Sequence, residues 1–428
     1  MERYVADQIA VALPHLRIVQ AKLEELGVRV DPADKDDDLS LALLKFSPEQ
    51  ASVAADALKN QINNDDPNWA LRTELGLQAE RQGRVSEVDW ILTGLRRLFA
   101  LQYKGFEPTV GKLRVVERVA GQPHVRGGGE GAPEPPKGSF KPFPERVPLP
   151  GQGVRVAVLD TKLVAHPWLQ GAYVASPSEV VVPKEQSIWR FGTDTPTYES
   201  YLLGHCTFVS GLILQAAPSA IVEVHPVLDE NGDGSSWELA KTLMRLAKTE
   251  VQVACLACAT TTADGRPSLV LERAIQRLGD RLIVVAAAGN HGDAKPDPNN
   301  DMAPVPTSPM YPAALTDVIA VGAVDENLDD APFNPPVPWI KVTAPGVGVV
   351  STYLNGRVTS SGRTRKYEGY AIWEGTSMAT AIVAGTIAAR IRPGASTDPE
   401  VVNSMLRLTV RRDNAGRPYL PGPDPYGQ

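Results

Sequence analysis

Ser377, His205, Asp160 and Asn290 are the side chains of this 428-residue sequence whose types could together break an acyl bond. A serine hydroxyl can attack a carbonyl, an imidazole can take its proton, and a carboxylate can hold that imidazole in one tautomer. A side-chain amide can donate to the oxyanion that forms. Ser377 sits in Glu374-Gly375-Thr376-Ser377-Met378-Ala379, and Ala381, Ala384, Gly385, Ala388 and Ala389 follow at helical spacing. The small residues let a helix pass close to neighbouring strands. The serine therefore stands at a helix start, where unpaired N–H groups and the helix dipole favour negative charge. Read alone, Ser377 is only a helix cap.

The other three also have bland uses when read singly. Asp160 could close a turn after Val154-Arg155-Val156-Ala157-Val158-Leu159. His205, in Leu203-Gly204-His205-Cys206-Thr207, could be a satisfied core histidine. Asn290, ending Val284-Val285-Ala286-Ala287-Ala288-Gly289-Asn290, could be a turn residue. What joins them is the pattern that must position them. Near-continuous apolar runs at 154–159, 221–228, 251–258, 282–288, 319–324 and 340–344 read as strands. Helical stretches fall between several, at 206–214, 236–248 and 269–278. Such alternation predicts an α/β domain with a mostly parallel sheet covered on both faces, whose functional residues gather at the carboxyl ends of the strands. All four residues are delivered to that edge or to a helix start facing it.

Their chain order is Asp, His, Asn, Ser, and residues 150 to 420 resemble a subtilisin-like serine peptidase (a subtilase). The motifs that carry the resemblance are Val158-Leu159-Asp160-Thr161, Gly204-His205-Cys206-Thr207, Ala287-Ala288-Gly289-Asn290 and Gly375-Thr376-Ser377-Met378-Ala379. Tyr311-Pro312-Ala313, Val318 to Val324, and Thr343-Ala344-Pro345-Gly346 before a Val349-Val350-Ser351-Thr352 strand add to it. The resemblance implies a three-layer α/β/α catalytic domain that hydrolyses peptide bonds. Ser377 is then the nucleophile, His205 the base, Asp160 its orienting acid and Asn290 an oxyanion donor. It also implies that Ala257-Cys258-Ala259 is the strand edge that pairs with an extended polypeptide substrate. Three features depart from the family pattern. Lys162 and Cys206 stand where glycines are usual, and Thr380-Ala381-Ile382 replaces the usual run after the nucleophile. Lys162 is either a charge beside Asp160 or a side chain turned to solvent.

The remaining sequence bounds the setting. Residues 1–120 read as a smaller α+β accessory domain: a helix from Ile9 to Leu26, a strand at Leu39–Phe46, a helix opened by Ser47-Pro48-Glu49-Gln50, and a helix from Val85 to Tyr103. Of its possible roles, prosegment, packing extension or regulatory module, the last is expected, with a regulatory protein as a partner. Sixteen of the 33 residues from Gly121 to Gly153 are glycine or proline, which reads as a linker without order of its own. The peptidase-like domain then covers 154–428. Three cysteines (Cys206, Cys255, Cys258), no apparent signal sequence and no long apolar run suit a cytoplasmic protein without a membrane span. A net charge of −7 argues against nucleic acid as partner. No metal site or required cofactor is expected. Asp229-Glu230-Asn231-Gly232-Asp233-Gly234 resembles half of a calcium loop, but its twelfth position is Ala240, so calcium lacks a full motif. Two alternatives to the endopeptidase remain: a peptide-maturation protease or transpeptidase, and a non-catalytic scaffold that keeps the fold.

Overall fold

The computed structural model describes residues 4–65, 85–118, 131–136, 143, 153–182, 196–262, 265–295, 304–360, 362–395, 397, 399–408 and 411–422. The chain forms two compact units. The first comprises Met1–Val115, Thr262–Arg277 and Pro296–Ala303, and the second comprises Val116–Thr261, Leu278–Lys295 and Pro304–Gln428. The first unit is thus not one contiguous stretch ending near residue 120, because two later segments join it.

In the first unit, strands β1 (Tyr4–Ala12), β2 (Pro32–Asp36), β3 (Leu41–Lys45) and β4 (Val110–Arg118, counted here to Val115) form an antiparallel sheet in the order β4-β1-β3-β2. Helices α1 (Leu13–Glu25), α2 (Pro48–Asp65) and α3 (Glu87–Gln102) complete it. Its core joins Ile9, Val11, Leu44 and Val110 of the sheet to Leu16, Leu58, Ile91 and Leu95 of the helices. The expected helix from Ile9 is corrected: Ile9–Ala12 end a strand, and α1 begins at Leu13 with Pro14 in its first turn. Those four residues are at most 4% exposed, since β1 is a central strand. A run buried on both sides has no alternation to separate it from the apolar helix that follows. The Ser47 helix start is as expected, with Ser47 N donating to Gln50 Oε1 at 2.8 Å and Gln50 N to Ser47 Oγ at 3.1 Å.

The second unit is built on a seven-stranded sheet in which every pairing is parallel. In chain order its elements are β5 (Arg155–Asp160), β6 (Leu163–Val164), β7 (Tyr173–Val174), β8 (Val180–Val181), β9 (Thr197–Tyr198) and α4 (His205–Ala216). Then come β10 (Ile221–Pro226), β11 (Asp233–Ser235), α5 (Ser236–Leu246), β12 (Val251–Leu256), β13 (Cys258–Thr261), α6 (Leu269–Leu278, nearly all in the first unit) and β14 (Ile283–Ala287). The last are β15 (Met310–Tyr311), β16 (Ile319–Val324), β17 (Val342–Pro345), β18 (Val349–Ser360), β19 (Arg363–Trp373), α7 (Thr376–Arg390) and α8 (Pro399–Arg407). The sheet order is β17-β16-β14-β12-β5-β10-β7.

Val156, Val158, Val253, Cys255 and Val285 share one core with the buried faces of α4 and α7. The alternate residues Ala157, Leu159, Ala254, Leu256 and Ala286 are also 0% exposed, so both faces are covered, as the apolar runs require. Two features were not foreseen. The expected strand 251–258 breaks at Ala257, where β13 leaves the parallel sheet to pair antiparallel with β15. A long hairpin, β18 with β19, leads into α7, with β9 beside it.

Part of the 121–153 stretch is described, and there it is no bare spacer. Glu134 exchanges backbone bonds with Ile372 at 2.9 and 2.7 Å, Trp373 Nε1 donates to Gly131 O at 2.8 Å, and Tyr367 Oη donates to Pro133 O. A proline-rich segment keeps its carbonyls, and here buried aromatic donors take them up. Gly127-Gly128-Gly129 and most of the rest of that stretch lie outside the described residues.

Candidate active site

Asp160 ends β5 and is 0% exposed. Its backbone carbonyl accepts from Val227 N and Leu228 N, and Thr161 N donates to its Oδ1 at 2.6 Å. His205 opens α4, with its Nδ1 at 2.7 Å from Asp160 Oδ2 and 2.9 Å from Oδ1. An ionised carboxylate can only accept, so Nδ1 carries a proton here, and in the neutral imidazole the lone pair is then on Nε2. The residue before the histidine has no room for a side chain: a Cβ on Gly204 would lie 2.2 Å from the Tyr353 ring. Tyr353 is fixed in turn by its hydroxyl, which donates to Tyr201 O at 2.6 Å. Lys162, for which the sequence left open a charge beside Asp160 or a side chain turned to solvent, is exposed.

Ser377 is the second residue of α7 and 4% exposed. Gly375, at φ 146°, turns the chain from β19 into that helix through a conformation L-residues rarely adopt. Ser377 Oγ donates to Ala257 O at 3.4 Å, so the break in the strand supplies the acceptor that faces the serine. Asn290 follows Gly289 at the end of β14, with Oδ1 accepting from Thr376 N at 2.8 Å and Thr376 Oγ1 at 2.9 Å. Two donors on one oxygen identify the amide's ends. Its Nδ2 therefore lies on the Gly375 side, 3.3 Å from where a Cβ would stand. Thr376, which the motif reading passed over, does this orienting and also accepts from Gly289 N at 3.3 Å. Its only sequence signal was a hydroxyl directly before the serine.

Trp373 was also passed over. Its indole meets the His205 ring edge to face, with centroids 5.2 Å apart and planes at 89°, and it contacts Tyr201, Phe208 and Tyr353 in the same way. Two residues of the strand edge Ala257-Cys258-Ala259 are already paired. Cys258 lies opposite Arg118 and Ala259 opposite Glu117, antiparallel, through the residues of β4 that belong to the second unit. Arg118 N also donates to Gly232 O at 2.8 Å, and its guanidinium bonds the Tyr201 hydroxyl. Cys258 is fully buried with Sγ 3.9 Å from Leu159 O, and burial pushes its thiol and those of Cys206 and Cys255 far above the usual range. All three cysteines are free.

In the calcium-like stretch, Asp229 Oδ1 accepts from Asn231 N at 2.8 Å and Asp233 N at 3.0 Å, which closes the turn before β11. Among the described residues no helix is long and apolar enough to cross a membrane.

A parallel sheet with Asp160 at a strand's carboxyl end, and His205 and Ser377 on the first turns of two helices packed against it, defines an α/β protein of the subtilisin type. The chain belongs to the Subtilase family, whose model matches residues 151–419. It is 33% identical over 287 residues to the thermostable alkaline protease of Halalkalibacterium halodurans, a match that covers 65% of each chain. It is 35% identical over 250 residues to subtilisin Savinase of Lederbergia lenta, covering 56% of this chain and 77% of that one. The chain thus spans a little under two thirds of the alkaline protease's length. Among solved structures it is similar to the prenylagaramide maturation protease PagA, at 23% identity and a TM-score of 0.45, over 65% of this chain and 88% of that one.

Proposed function

We propose that this chain is a serine endopeptidase in which Asp160, His205 and Ser377 perform the chemistry and Asn290 stabilises the oxyanion. The observation that carries the reading is the buried bond from His205 Nδ1 to Asp160, which leaves Nε2 as the base. Ser377 Oγ attacks the scissile carbonyl carbon as its proton passes to His205 Nε2. The carbonyl oxygen becomes an anion that accepts from Asn290 Nδ2 and from the N–H of Ser377. Collapse of that intermediate breaks the C–N bond, and the imidazolium gives its proton to the leaving amine. Water then repeats the sequence on the acyl-enzyme and frees the serine. The residues named need no cofactor for this.

The substrate in this reading is an extended polypeptide laid on Ala257-Cys258-Ala259. Glu117 and Arg118 occupy that edge, which supports regulation by the N-terminal region: the chain's own strand must leave before another can pair there. A protein that binds residues 1–115 could supply that release. We place the protein in the cytoplasm on the strength of three free, buried thiols. The test is hydrolysis of an unfolded protein substrate by the full chain and by Ser377→Ala. Cleavage lost in the variant supports the reading; cleavage that persists in the variant contradicts it.

A further inference from the structure

The β18–β19 hairpin carries more positive charge than the chain around it. Arg357, Arg363, Arg365 and Lys366 lie on it against a single acid, Glu368, giving +3 within a chain of −7. Arg357, Arg363 and Lys366 are exposed. Among the described residues Lys366 alone of the four is ion-paired, to Glu368 at 3.0 Å. Arg357 and Lys366 stand directly opposite each other in the ladder. Like charges so placed repel, so the pair costs stability and does nothing for the hairpin's own folding. A local choice that opposes the fold marks a surface used for something else.

The ladder then runs from Arg357 and Lys366 to Val349 and Trp373. Trp373 lies seven residues beyond Lys366, about 24 Å of extended strand. At that end Trp373 touches His205. The charged ribbon is therefore continuous, across one register shift between Thr352 and Asn355, with the strand that reaches the site where a polypeptide would be cut.

We propose that this hairpin is an exosite that captures an acidic segment of the polypeptide substrate, away from the scissile bond. The inference rests on the endopeptidase reading and adds its substrate class. A compact +3 ribbon on a net-negative protein suits a short acidic stretch, while the surrounding charge repels a long polyanion such as nucleic acid. The gain is in encounter and in KM, because the four charged residues lie toward the end of the hairpin away from Trp373 and His205.

The test uses the full chain carrying Ser377→Ala and a fluorescent peptide of alternating Glu, Asp and Ser, followed by anisotropy. The acidic peptide should bind and a Gln/Asn/Ser peptide of equal length should not. Replacing Arg357, Arg363, Arg365 and Lys366 with glutamine should weaken binding roughly tenfold. In the unsubstituted hairpin, 0.5 M salt should do the same, which answers the question even if the fourfold variant is unstable. Equal binding by the two peptides, insensitivity to salt, or tighter binding of a single-stranded oligonucleotide or of anionic vesicles would each overturn the proposal. In the active chain, an acidic tail on a peptide substrate should lower KM and leave kcat unchanged. A chain that binds the tail and cuts nothing would count against the endopeptidase reading and leave the exosite standing.

Discussion

Trp373 meets His205 edge to face at 5.2 Å, and its Nε1 donates to Gly131 O at 2.8 Å. The indole is thus held from one side by a stretch of chain rich in glycine and proline, and from the other it limits how the imidazole can turn. Trp373→Phe keeps an aromatic ring and loses the N–H, leaving a buried carbonyl without its donor, at a cost of about 1–3 kcal/mol. Trp373→Ala should cost about 3–5 kcal/mol. In both variants peptide hydrolysis should lose kcat more than KM, because on the proposed reading the ring acts by positioning His205. Unchanged kcat in Trp373→Ala would show that the contact is packing alone.

Thr376 provides a second check on positioning. Its hydroxyl donates to Asn290 Oδ1 and accepts from Gly289 N. Thr376→Val keeps the shape and removes both. Asn290→Leu should lower kcat by about 10²–10³. Thr376→Val should lower it less, and in the double variant the two losses should fall short of adding, since both act on one amide. Full additivity would mean that Thr376 does not act through Asn290.

His166 sets an acid limit on stability. It is 5% exposed, its Nδ1 accepts from Trp168 N at 3.1 Å, and its Nε2 donates to Gly369 O at 2.9 Å. Burial lowers its pKa from 6.5 to about 4, with the Gly369 bond opposing weakly. A histidine whose folded pKa is depressed favours the folded state only while neutral. That stability is complete above the unfolded value of 6.5 and is lost as pH falls from there to about 4. The full loss is on the order of 3 kcal/mol. Urea midpoints should therefore drop between pH 7.5 and 4.5, and the drop should be smaller in His166→Asn. An equal drop in both proteins would assign the acid limit to other groups.

The pairing of Glu117 with Ala259 makes a prediction about restraint. Proline cannot donate to a ladder and also restricts the residue before it. Glu117→Pro should loosen β4 from the strand edge and raise the initial rate on an unfolded protein substrate several-fold. A lower or equal rate in a folded variant would argue that Glu117 and Arg118 do not compete with substrate.

The places of Asp160, His205, Asn290 and Ser377 were legible because each follows or ends an apolar strand or starts a small-residue helix, where type and position coincide. The parallel sheet was legible for the same reason: Val154–Leu159 and Ile319–Val324 are apolar on both faces. Trp373 was not, because its partners His205 and Gly131 are 168 and 242 residues away in sequence. The hairpin that carries it was hidden as well. Arg363-Thr364-Arg365-Lys366 has no apolar alternation, so only Val349–Thr352 read as strand. Ile9–Ala12 erred in the other direction, since a strand buried on both sides runs without a break into the helix behind it. Glu117 beside Ala259 follows from long-range pairing, which no local pattern encodes.

The most direct measurement is labelling of the full chain with a serine-directed fluorophosphonate, with the modified peptide mapped by mass spectrometry. The account predicts a single adduct on Ser377, lost in Ser377→Ala and strongly reduced in His205→Ala, because without the imidazole the hydroxyl is not activated. An adduct on another serine, or labelling of Ser377 that is indifferent to His205, would contradict it.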